Sequence, residues 1–158
     1  MRLGVRLGVD VGKARVGVAR SDATGTLAVP VETVPRHPED SALARLSALV
    51  GEYEALEVIV GLPLNLRAER TPSTDDAVGF AERLSVLVPV PVRLVDERLS
   101  TTAASRSLHA SGIASRNQRR IIDQQAAVVI LQHALELERA NAQPPGTDIV
   151  SRKGVADD

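Results

Sequence analysis

LGVRLGVDVGKARVGVARSD, residues 3–22, holds two short Val- and Leu-rich runs on either side of a glycine-bearing turn. LGVRLGVD has the length and branched content of a strand, and VGVARSD repeats it after the turn VGKAR, so the pair reads as a hairpin. A two-residue period puts Val5, Leu7, Val9 and Val11 on one face and Arg6, Gly8, Asp10 and Gly12 on the other. The glycines leave room beside the Asp10 carboxylate for a helix, an ion or another backbone. Asp10 also stands where the strand gives way to the turn, at the mouth of a sheet, where side chains reach ligands. A turn aspartate bonding its own backbone is the ordinary alternative.

Working outward, a third strand is expected from Leu27 to Val34, with Pro30 marking a bulge or an edge position. Pro38, Glu39 and Asp40 then open a helix whose apolar face is Leu43, Leu46, Val50 and Tyr53. EVIVG, residues 57–61, suits a strand buried on both sides. Thr71 as N-cap and Pro72 at the first position start a second helix with the stripe Ala77, Phe80, Ala81, Leu84 and Val88. VPVRLVDE is expected as the last strand, followed by a helix capped by Ser100 and stopped near Gly112, and by a longer helix over about residues 117–140. The order is that of an α/β domain with a mixed sheet, an antiparallel meander first and crossover units after it. From Asn141 onward Pro144, Pro145 and Gly146 interrupt a stretch without apolar periodicity. Residues 1–140 therefore read as one domain and 141–158 as a mobile tail.

The composition of the 158-residue chain, 44% hydrophobic and 25% charged, suits one packed core and argues against a disordered or membrane-spanning chain. Arg2 and Arg6 break the apolar N-terminus, which does not read as a secretory leader, so a cytoplasmic location is expected. The absence of cysteine removes disulfides, zinc-thiolate sites and thiol nucleophiles. His37, His109 and His133 match no ligand pair on one helical turn. Tyr53 and Phe80 are the only aromatic residues, which argues against reading single strands by base stacking. Net charge is −1, but Arg98, Arg106, Arg116, Arg119 and Arg120 lie in a stretch free of carboxylates. Such a run is either a solvated face or a surface for a polyanion.

Three acids stand out beside this basic stretch. Asp10 and Glu97 lie at the ends of the first and last expected strands. Asp96 and Glu97 fall on opposite faces, and the sequence leaves open which of them meets Asp10. Asp123 shares a helical stripe with Ala127, Ile130, Leu131 and Ala134, a costly place for a charge unless donors or a cation satisfy it. Arg119 or Arg120, one turn away, is a simple candidate partner. Carboxylates gathered without histidine or cysteine favour hard cations, Mg²⁺ or Mn²⁺. Two such ions about 3.5–4 Å apart activate water and steady a leaving oxygen in phosphodiester cleavage.

Four stretches in order, GVDVGKARVGVARSD, VIVGLPLN, VRLVDERLST and DQQAAVVIL, resemble the YqgF family of RNase H-like proteins over about residues 3–138. The family is described both as Holliday junction resolvases and as pre-16S ribosomal RNA processing nucleases. The resemblance implies a mixed five-stranded sheet flanked by helices, with Asp10, Glu97 and Asp123 as catalytic, metal-binding acids. It carries Gly61, Pro63 and Asn65 over as substrate-loop positions, although LRAER after Asn65 departs from the short glycine-bearing segment common there. Arg15 and Arg98 are candidates for phosphate contacts, and Arg116, Arg119 and Arg120 for leading a polyanion in. The expected activity is 5′-end processing of precursor 16S rRNA by a monomer or homodimer, with ribosomal particles as possible partners. The alternatives are cleavage of four-way DNA junctions and a non-catalytic assembly factor. An actin-like ATPase fits poorly, because such enzymes close two lobes over their nucleotide.

Overall fold

The computed structural model describes residues 1–99 and 116–150. The expected hairpin is β1 (Arg6–Val11) and β2 (Arg15–Ser21), paired antiparallel, and β3 (Ala28–Pro35) continues the meander. The register of β2 against β3 slips between Val18 and Ala19, which face Glu32 and Pro30, so the bulge falls where Pro30 placed it. β3 is also an edge strand, as a proline without an N–H requires.

Helix α1 (Glu39–Glu52) follows, then β4 (Glu57–Leu62), α2 (Pro72–Leu87) and β5 (Val92–Asp96). Thr71 caps α2: its hydroxyl accepts from the Thr74 N–H while the Thr74 hydroxyl accepts from the Thr71 N–H, and Pro72 takes the first turn. A 3-10 turn, Glu97–Leu99, ends β5, and α3 (Arg116–Asn141) is the long helix expected. The shorter helix expected between Ser100 and Gly112 lies outside the described residues. None of the described helices is long and apolar enough to cross a membrane.

The first five strands lie in the order β3-β2-β1-β4-β5, with β1, β4 and β5 parallel. The sixth strand, β6 (Thr147–Asp148), corrects the expected five: it pairs antiparallel with β5, and Ile149 behind it is buried in the core. Pro145 and Gly146 carbonyls accept from Arg93, so residues 145–149 close the sheet edge instead of trailing from it. Residues 151–158 lie outside the described part.

α1 and α2 cover one face of the sheet, where Leu7, Val9, Val16, Val18 and Val60 meet Leu43, Leu46, Phe80 and Leu84. Among the described helices α3 covers the other, packing Ala127, Ile130, Leu131 and Ala134 against Ala19, Ile59 and Val95. The helix comes close because glycines line its bed. A Cβ on Gly8 would stand 2.7 Å from the Leu131 Cβ, and one on Gly17 would stand 2.0 Å from the Asp123 carbonyl oxygen.

At the N-terminal end of β1, Arg6 (1% exposed) donates to Glu138 of α3 at 2.8 Å, and Arg2 bridges Glu138 and Glu57. Burial pushes the Glu138 carboxyl up, but the Arg2 and Arg6 guanidiniums outweigh it and hold the group below its ordinary value of 4.5. A depressed carboxylate contributes stability above its unfolded pKa and loses it as pH falls through the folded value. Urea denaturation of wild type is thus expected to show a declining acid limb below about pH 4.5, flattened in Glu138→Gln. An equally steep limb in the variant would place the titration elsewhere.

Candidate active site

The candidate site is built around Asp10, buried to 7% exposure near the C-terminal end of β1. Its partner across β2 is Gly17. On the other side Val9 pairs with Val60, which brings Gly61 of β4 level with Asp10. Both neighbours therefore lack a side chain on the face toward α3, and two other groups fill the space. Over Gly17 sits the backbone of Asp123, whose Cβ would be 3.3 Å from an added methyl. Over Gly61 sits the Glu97 carboxylate, whose Oε2 would be 2.7 Å from one. Asp10 is thereby flanked by Asp123 on one side and Glu97 on the other.

Glu97, not Asp96, takes this place. β5 ends at Asp96, and the 3-10 turn that begins at Glu97 breaks the strand alternation and swings the next carboxylate over Gly61. Glu97 is buried to 7% exposure. Asp96 instead accepts from the Arg98 guanidinium, at 2.6 Å from Nη2, and from the Arg98 backbone N–H. The Arg98 hydrogen bond outweighs partial burial and lowers the Asp96 carboxyl below its ordinary range. Arg98 is accordingly paired with Asp96 in this structure.

Asp10 and Asp123 line one cleft of about 410 Å³ together with Gly12, Lys13, Arg15, Pro63, Ser73 and Asp76. Asp123 is not held by Arg119 or Arg120. Its Oδ2 accepts from Arg15 Nε at 2.6 Å, with Arg15 29% and Asp123 16% exposed. Arg119 and Arg120 project to solvent, and the Arg120 carbonyl accepts from Thr33. The Arg116 side chain is outside the described residues. Among the described residues no three His, Asp or Glu side chains close on a single point, so Asp10, Glu97 and Asp123 are neighbours without forming a finished coordination shell.

The loop after β4 is ordered by its own residues. The Asn65 side-chain oxygen accepts from the Arg67 and Glu69 backbone N–H groups, and its amide donates to Glu69. Asn65 shapes the loop, and Leu66 stands exposed at its tip. The Pro63 carbonyl accepts from the Thr74 hydroxyl, fastening the loop to α2. Gly61 serves the space filled by Glu97 and Ile130.

Lys13, Ser73 and Asp76 were not singled out by sequence, since each reads as an ordinary turn or helix residue. Asp76 is placed by Arg36, which donates to both its oxygens and to the Gly12 carbonyl while stacking 5.0 Å from the Phe80 ring centroid. The Arg36 hydrogen bonds outweigh burial and lower the Asp76 carboxyl. Arg36 thus ties the turn carrying Lys13 to α2. The only forewarning was a cation just beyond a strand end.

Among solved structures, T. thermophilus RuvC in complex with a Holliday junction substrate matches 90% of this chain and 99% of its own, at 20% identity and a TM-score of 0.57. A second T. thermophilus RuvC structure matches at a TM-score of 0.51, 16% identity, and 86% and 96% coverage. Identities this low speak to the fold, which is RNase H-like. A protein of Clavibacter michiganensis subsp. michiganensis named "Putative pre-16S rRNA nuclease" is 58% identical over all of this chain and 98% of its own length. Proteins of the same name from Leifsonia xyli and Streptomyces coelicolor are each 52% identical, covering 98% and 94% of this chain and 99% and 90% of their own. The class is thus a phosphodiester-hydrolysing nuclease with an RNase H-like domain. Residues 4–137 match the profile of one family within it, and the chain belongs to that family, RuvX, described as Holliday junction resolvase.

Proposed function

We propose that this chain is a metal-dependent endonuclease of the cytoplasm that trims structured RNA, its substrate being the 5′ end of precursor 16S rRNA. The observation that carries the reading is the seating of the Glu97 carboxylate over Gly61 and of the Asp123 backbone over Gly17, the two positions that flank Asp10. Relatives more than half identical over nearly their whole length, with the nuclease name quoted above, support the substrate class.

The residues present fit a hard divalent cation. All three side chains offer carboxylate oxygens, and neither Gly17 nor Gly61 sets a side chain of its own between Asp10 and the elements that carry the other two acids. Asp10, Glu97 and Asp123 would hold Mg²⁺ or Mn²⁺. When bound, such ions lower the pKa of water and neutralise charge on the leaving oxygen. The chain's own cations bind the nucleic acid: Lys13 and Arg15 face the same cleft and attract a phosphate, while exposed Arg119 and Arg120 add a salt-dependent pull along α3.

The test offers precursor 16S rRNA and a four-way DNA junction to the protein in Mg²⁺ and in Mn²⁺. Preferential cleavage of the RNA is expected. The family description and the RuvC fold favour a second reading, junction resolution, which preferential cutting of the DNA would establish. Resolution of both strands needs two active sites, so a strict monomer in solution speaks for RNA trimming.

Gly61→Ala probes the Glu97 position. An added methyl would meet Glu97 Oε2 at 2.7 Å and Ile130 Cδ1 at 2.6 Å, both side-chain ends rather than backbone. Stability is expected to fall by about 1 kcal/mol, at the low end for overpacking, whereas displacement of Glu97 lowers cleavage roughly tenfold. Equal activity in the variant, measured as initial rates on the preferred substrate, would remove Glu97 from the site.

A further inference from the structure

The Asp123 backbone and the Asp123 carboxylate are held by different parts of the molecule. Its carbonyl and Cβ are seated against Gly17, beside Asp10, and the buried stripe Ala127, Ile130 and Leu131 locks the helix behind it. The side chain, in contrast, reaches away to Arg15 Nε at 2.6 Å, and both partners keep some exposure to the cleft. A cation beside Asp10 would compete with Arg15 for the Asp123 carboxylate. Arg15 has an alternative partner as well, because any phosphate entering the cleft presents the same paired oxygens as a carboxylate.

We propose that Arg15 is a latch on the metal site: it holds the Asp123 carboxylate until a phosphate of the nucleic acid takes over its guanidinium and frees that carboxylate for the cation. The inference rests on the metal-site reading above and assigns Arg15 a positioning role within it. A latch and a brace have opposite signs. If Arg15 braced Asp123 in a metal-ready position, its loss would weaken cation binding. As a competitor for Asp123, its loss strengthens cation binding, because both the rival ion pair and a repelling charge disappear.

The experiment titrates the full chain with Mn²⁺ alone, by calorimetry and by the loss of the free-ion paramagnetic resonance signal. Arg15→Gln is expected to bind Mn²⁺ about three- to fivefold more tightly than wild type, the range for releasing a partly exposed ion pair. Arg15→Lys, which keeps the charge but not the planar fork, gives a smaller gain, and adding Asp123→Asn to Arg15→Gln abolishes it. In EDTA, Arg15→Gln binds a fluorescent RNA hairpin about threefold more weakly, consistent with one lost phosphate contact. Unchanged or weaker Mn²⁺ binding in Arg15→Gln overturns the latch and leaves the metal site standing. Unchanged hairpin affinity overturns the release step. No Mn²⁺ binding by wild type, or binding equal to it in Asp10→Asn, overturns the metal-site reading itself and the latch with it.

Discussion

Asp10→Asn is expected to lose metal-dependent cleavage on the order of a thousandfold, about 4 kcal/mol of transition-state stabilisation. Asp10 is the acid between the two glycines, with the Asp123 backbone seated over one and the Glu97 carboxylate over the other. Replacing one oxygen by an amide nitrogen keeps the shape and removes the charge a hard cation needs. The same change is expected to act on stability through linkage. A metal at roughly a hundred times its Kd stabilises wild type by about 2.7 kcal/mol, which for a chain of this size raises Tm by about 5–10 °C. Most of that increment is absent in Asp10→Asn. Thermal melts of both proteins, with and without millimolar Mn²⁺, decide the matter, and comparing increments cancels any difference between the metal-free proteins. A full increment in the variant, or none in wild type, would separate Asp10 from cation binding.

Gly17→Ala is expected to show the largest loss of stability of any single methyl on this face. The new Cβ would lie 2.0 Å from the Asp123 carbonyl oxygen and 2.6 Å from its carbonyl carbon. Those atoms are helix backbone, so no rotamer change relieves the clash and α3 must lift from β2. A loss of about 3 kcal/mol, the upper range of overpacking, lowers Tm by roughly 6–12 °C. Denaturant unfolding with an unchanged m-value would read it directly. Because lifting α3 also withdraws Asp123 from Asp10, Mn²⁺ binding is expected to weaken in parallel. A variant as stable as wild type would mean the helix is not seated on Gly17.

Much of this arrangement was legible in residues 3–22 alone, because alternation separates the face of Leu7 and Val9 from that of Gly8 and Asp10 whatever the partner strand is. Thr71 and Pro72 fixed the start of α2 because capping depends on local backbone groups. β6 escaped notice because two residues are too few to show a period, and their pairing with β5 depends on a contact remote in the chain. In the site, the choice between Asp96 and Glu97 was undecidable for a similar reason: a strand pattern cannot announce that it stops one residue early and turns into a 3-10 helix. The partner of Asp123 was sought one helical turn away, but tertiary packing brought it Arg15 from the opposite end of the chain.

The docking of α3 on the glycine bed also sets a schedule for biosynthesis. The hairpin, both crossover units and their shared apolar core can assemble as the N-terminal part of the chain emerges, yet one wall of the cleft, Ile122 to Ala126, arrives only with the final long helix. A nascent chain halted before that helix therefore has Asp10 but neither Asp123 nor the wall behind it.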